Sequence, residues 1–153
     1  MTKNEQVYDE LCLSVYNTNR YFHHLYGIVL DKYDLSYLQY MSLLVISKNK
    51  SVKLMDIGTE LDLSSNTLTP VIDRLVKKSW LVKVPSEVDR RVKFLEIPAS
   101  KYQLFENILV DIARIRDKLI QSSTRSIESI IAENDILNRV LKEIIADNRR
   151  LEK

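Results

Sequence analysis

Glycine is scarce in this chain, with two among 153 residues. Loops that cradle phosphates or a dinucleotide need several glycines for tight turns and close backbone approach, so those nucleotide folds are excluded. A single cysteine, Cys12, cannot close an intrachain disulfide. That agrees with a reducing compartment and leaves one free thiol to account for. No apolar run approaches the roughly 20 residues of a spanning helix; the longest candidate, residues 37–46, is interrupted by Gln39 and Ser42. The opening stretch MTKNEQVYDE carries acidic residues where a secretory leader has basic ones, and no apolar run follows it. A cytoplasmic protein with no membrane contact is therefore expected. No cofactor motif is present. His23 and His24 are adjacent, so on a helix they face different ways, and no Cys or acidic partner stands at ligand spacing. No metal is expected.

The formal net charge is only +2, but its distribution is uneven. Between Arg74 and Lys93 seven basic residues stand against two acidic ones, while the remaining segments are balanced or acidic. Clustered positive charge of this kind is the footprint of a phosphate-binding surface.

Apolar spacing organises the chain. Val7, Leu11, Val15, Phe22 and Val29 return to one face of a long first helix that fades near residues 32–34. Ser36 is placed to cap a second helix carrying Leu38, Met41, Leu44 and Val45, and residues 47–51 form a polar break. A short helix around Leu54, Ile57, Gly58 and Leu61 then leads to Ser64, a cap for the next one. Two helices joined by a tight polar turn make a helix-turn-helix. The second buries Leu68, Val71, Ile72, Leu75 and Val76 and presents Ser65, Asn66, Thr67, Thr69, Arg74 and Lys77 outward. Short hydroxyl and amide groups reach base edges, and the two cations neutralise phosphates, so this face has the chemistry of a DNA reader. Pro70 removes a helical hydrogen bond, and a kink or loose first turn is expected there.

After Trp80 the period becomes two, in residues 81–84 and 92–97, which reads as a β-hairpin with Asp89, Arg90, Arg91 and Lys93 near its tip. Pro98 ends the second strand, a long helix starts near Ser100 and reaches as far as Ile131, and Asn134 can cap a last helix with Leu137, Leu141, Ile144 and Ile145 on one face. The fold class is mainly α with a small hairpin wing, a winged helix-turn-helix. Residues 37–98 form the DNA-binding region, and residues 1–36 and 99–153 form a helical dimerisation region whose surplus apolar surface calls for a second copy. A two-fold dimer suits a pseudo-palindromic double-stranded operator with half-sites about one helical turn apart.

This order of elements, with the wing sequence SEVDRRVKFLEI, resembles the MarR family of bacterial regulators over nearly the whole chain. The resemblance implies that Asp89 orients the wing and that Arg91 enters the minor groove. The segment Leu-Cys-Leu-Ser-Val-Tyr-Asn, with Cys12 and Tyr16, is similar to the thiol-sensing branch that holds the OhrR, MgrA and SarZ regulators. In that branch two tyrosines of the partner subunit bond the cysteine, and Tyr26 and Tyr37 stand at the matching positions. The chain departs from relatives in carrying Ser-Ser-Asn-Thr in the helix-turn-helix where a glycine is frequent, so the resemblance does not supply the operator sequence.

What the resemblance implies is a regulator, not an enzyme, that senses peroxides and organic hydroperoxides. Cys12, near the start of the first helix, would be favoured as thiolate by the helix dipole and by the tyrosine hydroxyls. Oxidation to sulfenic acid, and condensation with a low-molecular-weight thiol, would disturb the dimer and lower DNA affinity. With no second cysteine, a bridge to a different cysteine of the partner is ruled out. Two alternatives stay open: a regulator of the same fold induced by a small aromatic ligand, with Cys12 incidental, and a one-cysteine peroxidase, for which no general base or substrate-positioning motif accompanies the thiol.

Overall fold

The computed structural model describes residues 3–151, with side chains from Asp9 onward. Six helices and one hairpin follow in the expected order. Helix α1 spans Lys3–Leu30 and closes through a 3-10 turn, Asp31–Tyr33. Asp34 then takes a left-handed conformation (φ 53°), which lets the Leu35 N–H bond back to the Leu30 carbonyl at 3.1 Å. Helix α2, Tyr37–Asn49, opens with a reciprocal capping box: Ser36 Oγ accepts from the Gln39 N–H at 3.2 Å, and Gln39 Oε1 accepts from the Ser36 N–H at 2.9 Å. The polar break comes later than expected. Helix α2 runs to Asn49, because Ser47 and Asn49 bond their side chains to carbonyls of the preceding turn and remain helical.

Helices α3, Leu54–Leu61, and α4, Ser65–Lys77, form the helix-turn-helix, and strands β1, Val82–Pro85, and β2, Lys93–Glu96, form the antiparallel wing, with Val82 paired to Glu96 and Pro85 to Lys93. An isolated bridge from Val52 to Leu95 ties the segment before α3 to the wing. Helix α5 spans Ala99–Ser122 and α6 spans Ile127–Leu151.

The chain divides into two compact units, residues 1–112 and 113–153. The first holds the core. Leu30, Leu43, Ile46, Ile57, Leu68, Ile72, Leu75, Leu81 and Ile108 are essentially without solvent contact. Each such side chain contributes about 1.5–3 kcal/mol through burial. Helix α2 has buried residues right around it, including the polar Ser42, whose hydroxyl is satisfied by the Leu38 carbonyl at 2.9 Å.

In the second unit the expected helix start at Asn134 is corrected. The break falls at residues 123–126, and Ser126 Oγ accepts from the Ser129 N–H at 3.1 Å, so the last helix is already under way before Asn134. Apolar spacing continues across this break, whereas the Ser-Ser-Thr-Arg-Ser cluster competes for backbone bonds and ends α5. Arg125 pairs with Glu133 across the new first turns of α6. None of α6 is buried, and Leu137, Val140, Leu141 and Ile144 stand exposed at helical spacing.

Candidate nucleic-acid interface and thiol face

The turn between α3 and α4 is built around a close approach. The Leu63 N–H bonds the Gly58 carbonyl at 2.8 Å, Asp62 is left-handed (φ 55°), and a Cβ on Gly58 would lie 2.7 Å from the Leu63 carbonyl oxygen. Only glycine fits. Ser64 then caps α4, its Oγ accepting from the Thr67 N–H at 3.4 Å and lying 3.2 Å from the Thr67 hydroxyl. Helix α4 buries Leu68, Ile72 and Leu75 and exposes Asn66, Thr67, Thr69, Arg74 and Lys77, with Ser65 half-buried. The helix assignment is unbroken at Pro70. Helix α4 continues through it, and Thr69 Oγ1 bonds the Ser65 carbonyl at 2.7 Å in the turn that Pro70 weakens.

The wing is joined to α4 by Lys83, whose Nζ donates to Asp73 Oδ1 at 3.2 Å. Its tip is folded by side-chain bonds. Ser86 Oγ accepts from the N–H groups of Val88 and Asp89 at 3.2 and 3.4 Å, and the Val92 N–H returns to the Asp89 carbonyl at 2.9 Å. Asp89 in turn takes the Arg91 backbone N–H at 3.0 Å and its guanidinium through two nitrogens. The Arg91 side-chain hydrogen bond, then its backbone N–H, hold the Asp89 carboxyl below the usual carboxylate range. Arg91 itself stays 91% exposed. Among the described residues Arg74, Lys77, Arg90 and Lys93 have no ion-pair partner, so their charge is available to an external anion.

Sequence reasoning missed Ser86, although Ser-x-x-Asp is a recognisable turn signature, and missed Asp73 with Lys83, a pair that only tertiary structure brings together.

Cys12 is exposed. It is not at the helix N-terminus as expected: α1 begins at Lys3, which puts Cys12 in its third turn, beyond the first-turn reach of the helix dipole. Tyr16, also exposed, is one turn further along the same face, and His23 and Tyr26 return to that face. Tyr26 and Tyr37 meet edge to face with centroids 5.1 Å apart, and His23 lies against Tyr37 at 4.9 Å. Burial, and secondarily the neighbouring Tyr26, push the Tyr37 phenol up, so it remains a hydrogen-bond donor across the physiological range. Neither hydroxyl of the pair has a hydrogen-bond partner among the described residues. Cys12 and Tyr26 are separated by fourteen residues of α1, about 21 Å along the axis. The tyrosine pair is thus beyond reach of the thiol in its own chain.

Among the described residues no group of His, Cys, Asp and Glu could hold a metal ion, and no helix is long and apolar enough to cross a membrane.

A capped reader helix beside a cationic wing defines a DNA-binding transcription regulator of the winged helix-turn-helix class. The chain belongs to the SarA/Rot family of transcriptional regulators, whose family model matches residues 24–108. It is 27% identical over 142 residues to the regulator MgrA of Staphylococcus aureus, covering 92% of this chain and 94% of MgrA. It is also 27% identical to SarZ of Staphylococcus haemolyticus over 146 residues, covering 95% and 94%. Among solved structures, reduced AbfR bound to DNA is 30% identical with a TM-score of 0.78, covering 94% of this chain and 98% of that one; AbfR is a protein of Staphylococcus epidermidis. Overoxidized AbfR bound to DNA (28% identity, TM-score 0.73, covering 94% and 99%) and a disulfide-formed AbfR (28%, 0.66, covering 94% and 95%) are similar too. The resemblance to the MgrA and SarZ branch of MarR-type regulators is borne out.

Proposed function

We propose that this chain works as a homodimer that holds double-stranded DNA with α4 and the wing and loosens its hold when Cys12 is oxidised. The observation that carries the reading is the Tyr26–Tyr37 pair. It presents two hydroxyls without a hydrogen-bond partner among the described residues on the face shared with Cys12, yet about 21 Å along the helix from it, so a second copy is what would bring thiol and tyrosines together. The bare apolar stripe of α6 supports the same assembly.

In this reading the thiolate attacks the distal oxygen of a hydroperoxide, giving a sulfenate and the alcohol. The protonated sulfenic acid then condenses with a low-molecular-weight thiol, forming a mixed disulfide and releasing water. Oxygen addition alone is a small change, and overoxidized AbfR is bound to DNA. The bulkier disulfide adduct is therefore the form assigned to release, because it displaces the tyrosines and changes the spacing of the two α4 helices. In the assembled dimer Ser65, Asn66, Thr67 and Thr69 face base edges, Arg74, Lys77, Arg90 and Lys93 face phosphates, and Asp89 steadies Arg91. Residues 37–98 serve as the DNA-binding region, and the flanking helices as the dimerisation region.

A gel-shift titration on a promoter fragment tests this when repeated after organic hydroperoxide with a small thiol, and again after reductant. The expected result is loss and recovery of the complex, with Cys12→Ser binding throughout. Continued release in Cys12→Ser would remove the thiol from the mechanism and favour a regulator with another inducer.

A further inference from the structure

Helix α1, with its closing 3-10 turn, and helix α4 end alike. Each exit passes through a left-handed residue, Asp34 (φ 53°) after α1 and Ser79 (φ 60°) after α4. In each the next N–H reaches back into the last turn, Leu35 to the Leu30 carbonyl at 3.1 Å and Trp80 to the Leu75 carbonyl at 2.9 Å. Leu35 and Trp80 are both buried, which fixes the two ends in place. Lys78, directly before Ser79, joins them: its Nζ donates to the Asp34 carbonyl and to Asp34 Oδ2, the latter at 2.9 Å. Helix C-termini carry partial negative charge on their unfilled carbonyls, so one ammonium serving two of them is favourably placed. The Lys78 side chain is 32% exposed while that of Asp34 is 86% exposed. The ammonium is thus drawn inward and not displayed as a phosphate ligand would be.

Arg74 stands one turn earlier on α4, and with Lys78 it borders a hollow shared with Asp31 and Asp34. Asp31 is turned back along α1, its carboxylate oxygens 3.9 and 4.0 Å from where a Cβ on Gly27 would stand. Asp34 is the carboxylate that Lys78 holds, and Arg74 has no ion-pair partner among the described residues.

We propose that Lys78 is a positioning residue for DNA binding, which by occupying Asp34 keeps Arg74 from pairing there and leaves its guanidinium to a phosphate. The inference rests on the placement of Arg74 against DNA given above. Removing the ammonium opens Asp34 to the long, flexible arginine one turn away. A duplex must then break that pair to gain the contact. An exposed pair of this kind is weak, so the effect is a few-fold one.

Fluorescence anisotropy with a labelled mixed-sequence duplex at low salt tests the assignment, since a phosphate contact carries no sequence information. Each variant is first confirmed as folded by circular dichroism. Lys78→Gln should weaken binding about two- to fivefold, and Lys78→Arg, which keeps the charge, should match the parent protein. Asp34→Asn, tolerated in a left-handed position, should restore affinity in the Lys78→Gln background. Arg74→Ala should weaken binding by itself, and Lys78→Gln should then add nothing. No loss in Lys78→Gln, a loss that persists undiminished in Arg74→Ala, or one that Asp34→Asn fails to relieve would overturn the proposal while leaving Arg74 on the DNA. No loss in Arg74→Ala would instead remove Arg74 from DNA binding, and the proposal with it.

Discussion

Arg91 and Asp89 form a two-point ion pair within the wing, Nε to Oδ1 at 3.1 Å and Nη2 to Oδ2 at 3.2 Å, while the guanidinium stays almost wholly in solvent. The pair aims Arg91 without burying it. Replacing Arg91 with Ala should weaken operator binding roughly ten- to hundredfold and leave the far-ultraviolet spectrum unchanged. Asp89→Asn keeps the cation but loosens its aim, so a smaller loss is expected. Fluorescence anisotropy on a labelled operator measures both, and an unaltered affinity in Arg91→Ala would take the wing out of DNA recognition.

The same pair has a pH signature. Because Asp89 is held below its ordinary range by Arg91, the order it lends the wing is fully present above the usual carboxylate range and disappears only as pH falls through the lowered value. Wing order therefore persists under mildly acidic conditions. A carboxyl-carbon magnetic resonance titration should place the Asp89 midpoint below that of the Arg91→Ala variant; coincident midpoints would mean that the pair does not exist in solution.

The two glycines should respond oppositely to alanine. At Gly58 the new methyl meets the Leu63 carbonyl oxygen at 2.7 Å, and the turn must move; a loss of about 1–3 kcal/mol is expected, as for overpacking elsewhere. At Gly27 the nearest atom is an Asp31 carboxylate oxygen at 3.9 Å, so helix propensity dominates and a gain of up to about 1 kcal/mol is expected. Urea unfolding of both variants reads the difference, and equal midpoints would contradict the close approach.

Dimerisation through the apolar stripe of α6 predicts that Leu141→Glu shifts the chain toward monomer. Leu141 is exposed in the single chain, so its substitution costs the protomer little. Sedimentation equilibrium distinguishes the cases: an unchanged dimer would place the contact elsewhere.

Local signals were the legible ones. Ser36 and Ser64 could be read as caps because a cap lies directly before the helix it starts, although the return bond from Gln39 to Ser36 was not read. The period change after Trp80 gave the wing for the same reason. The start of α6 was obscured, since Ile115, Leu119, Ile127 and Ile130 keep helical spacing across a break that the serines around it impose. Cys12 was set too near a helix end because the apolar spacing that marked the helix begins only at Val7, four residues after the helix itself starts at Lys3. The bond from Tyr33 to Asp111 at 2.9 Å and the Asp73–Lys83 bridge join distant segments and leave no periodic trace. Gly58 was visible as a helix residue, but its reason, a carbonyl five residues on, was not.

A titration of operator DNA with the reduced protein from 50 to 200 mM salt, with stoichiometry followed by sedimentation, tests the account most directly. Two chains per duplex and a fall in affinity of about 10³–10⁵ across that range are expected for some six to ten phosphate contacts. A single chain on the duplex, with an affinity indifferent to salt, would contradict it.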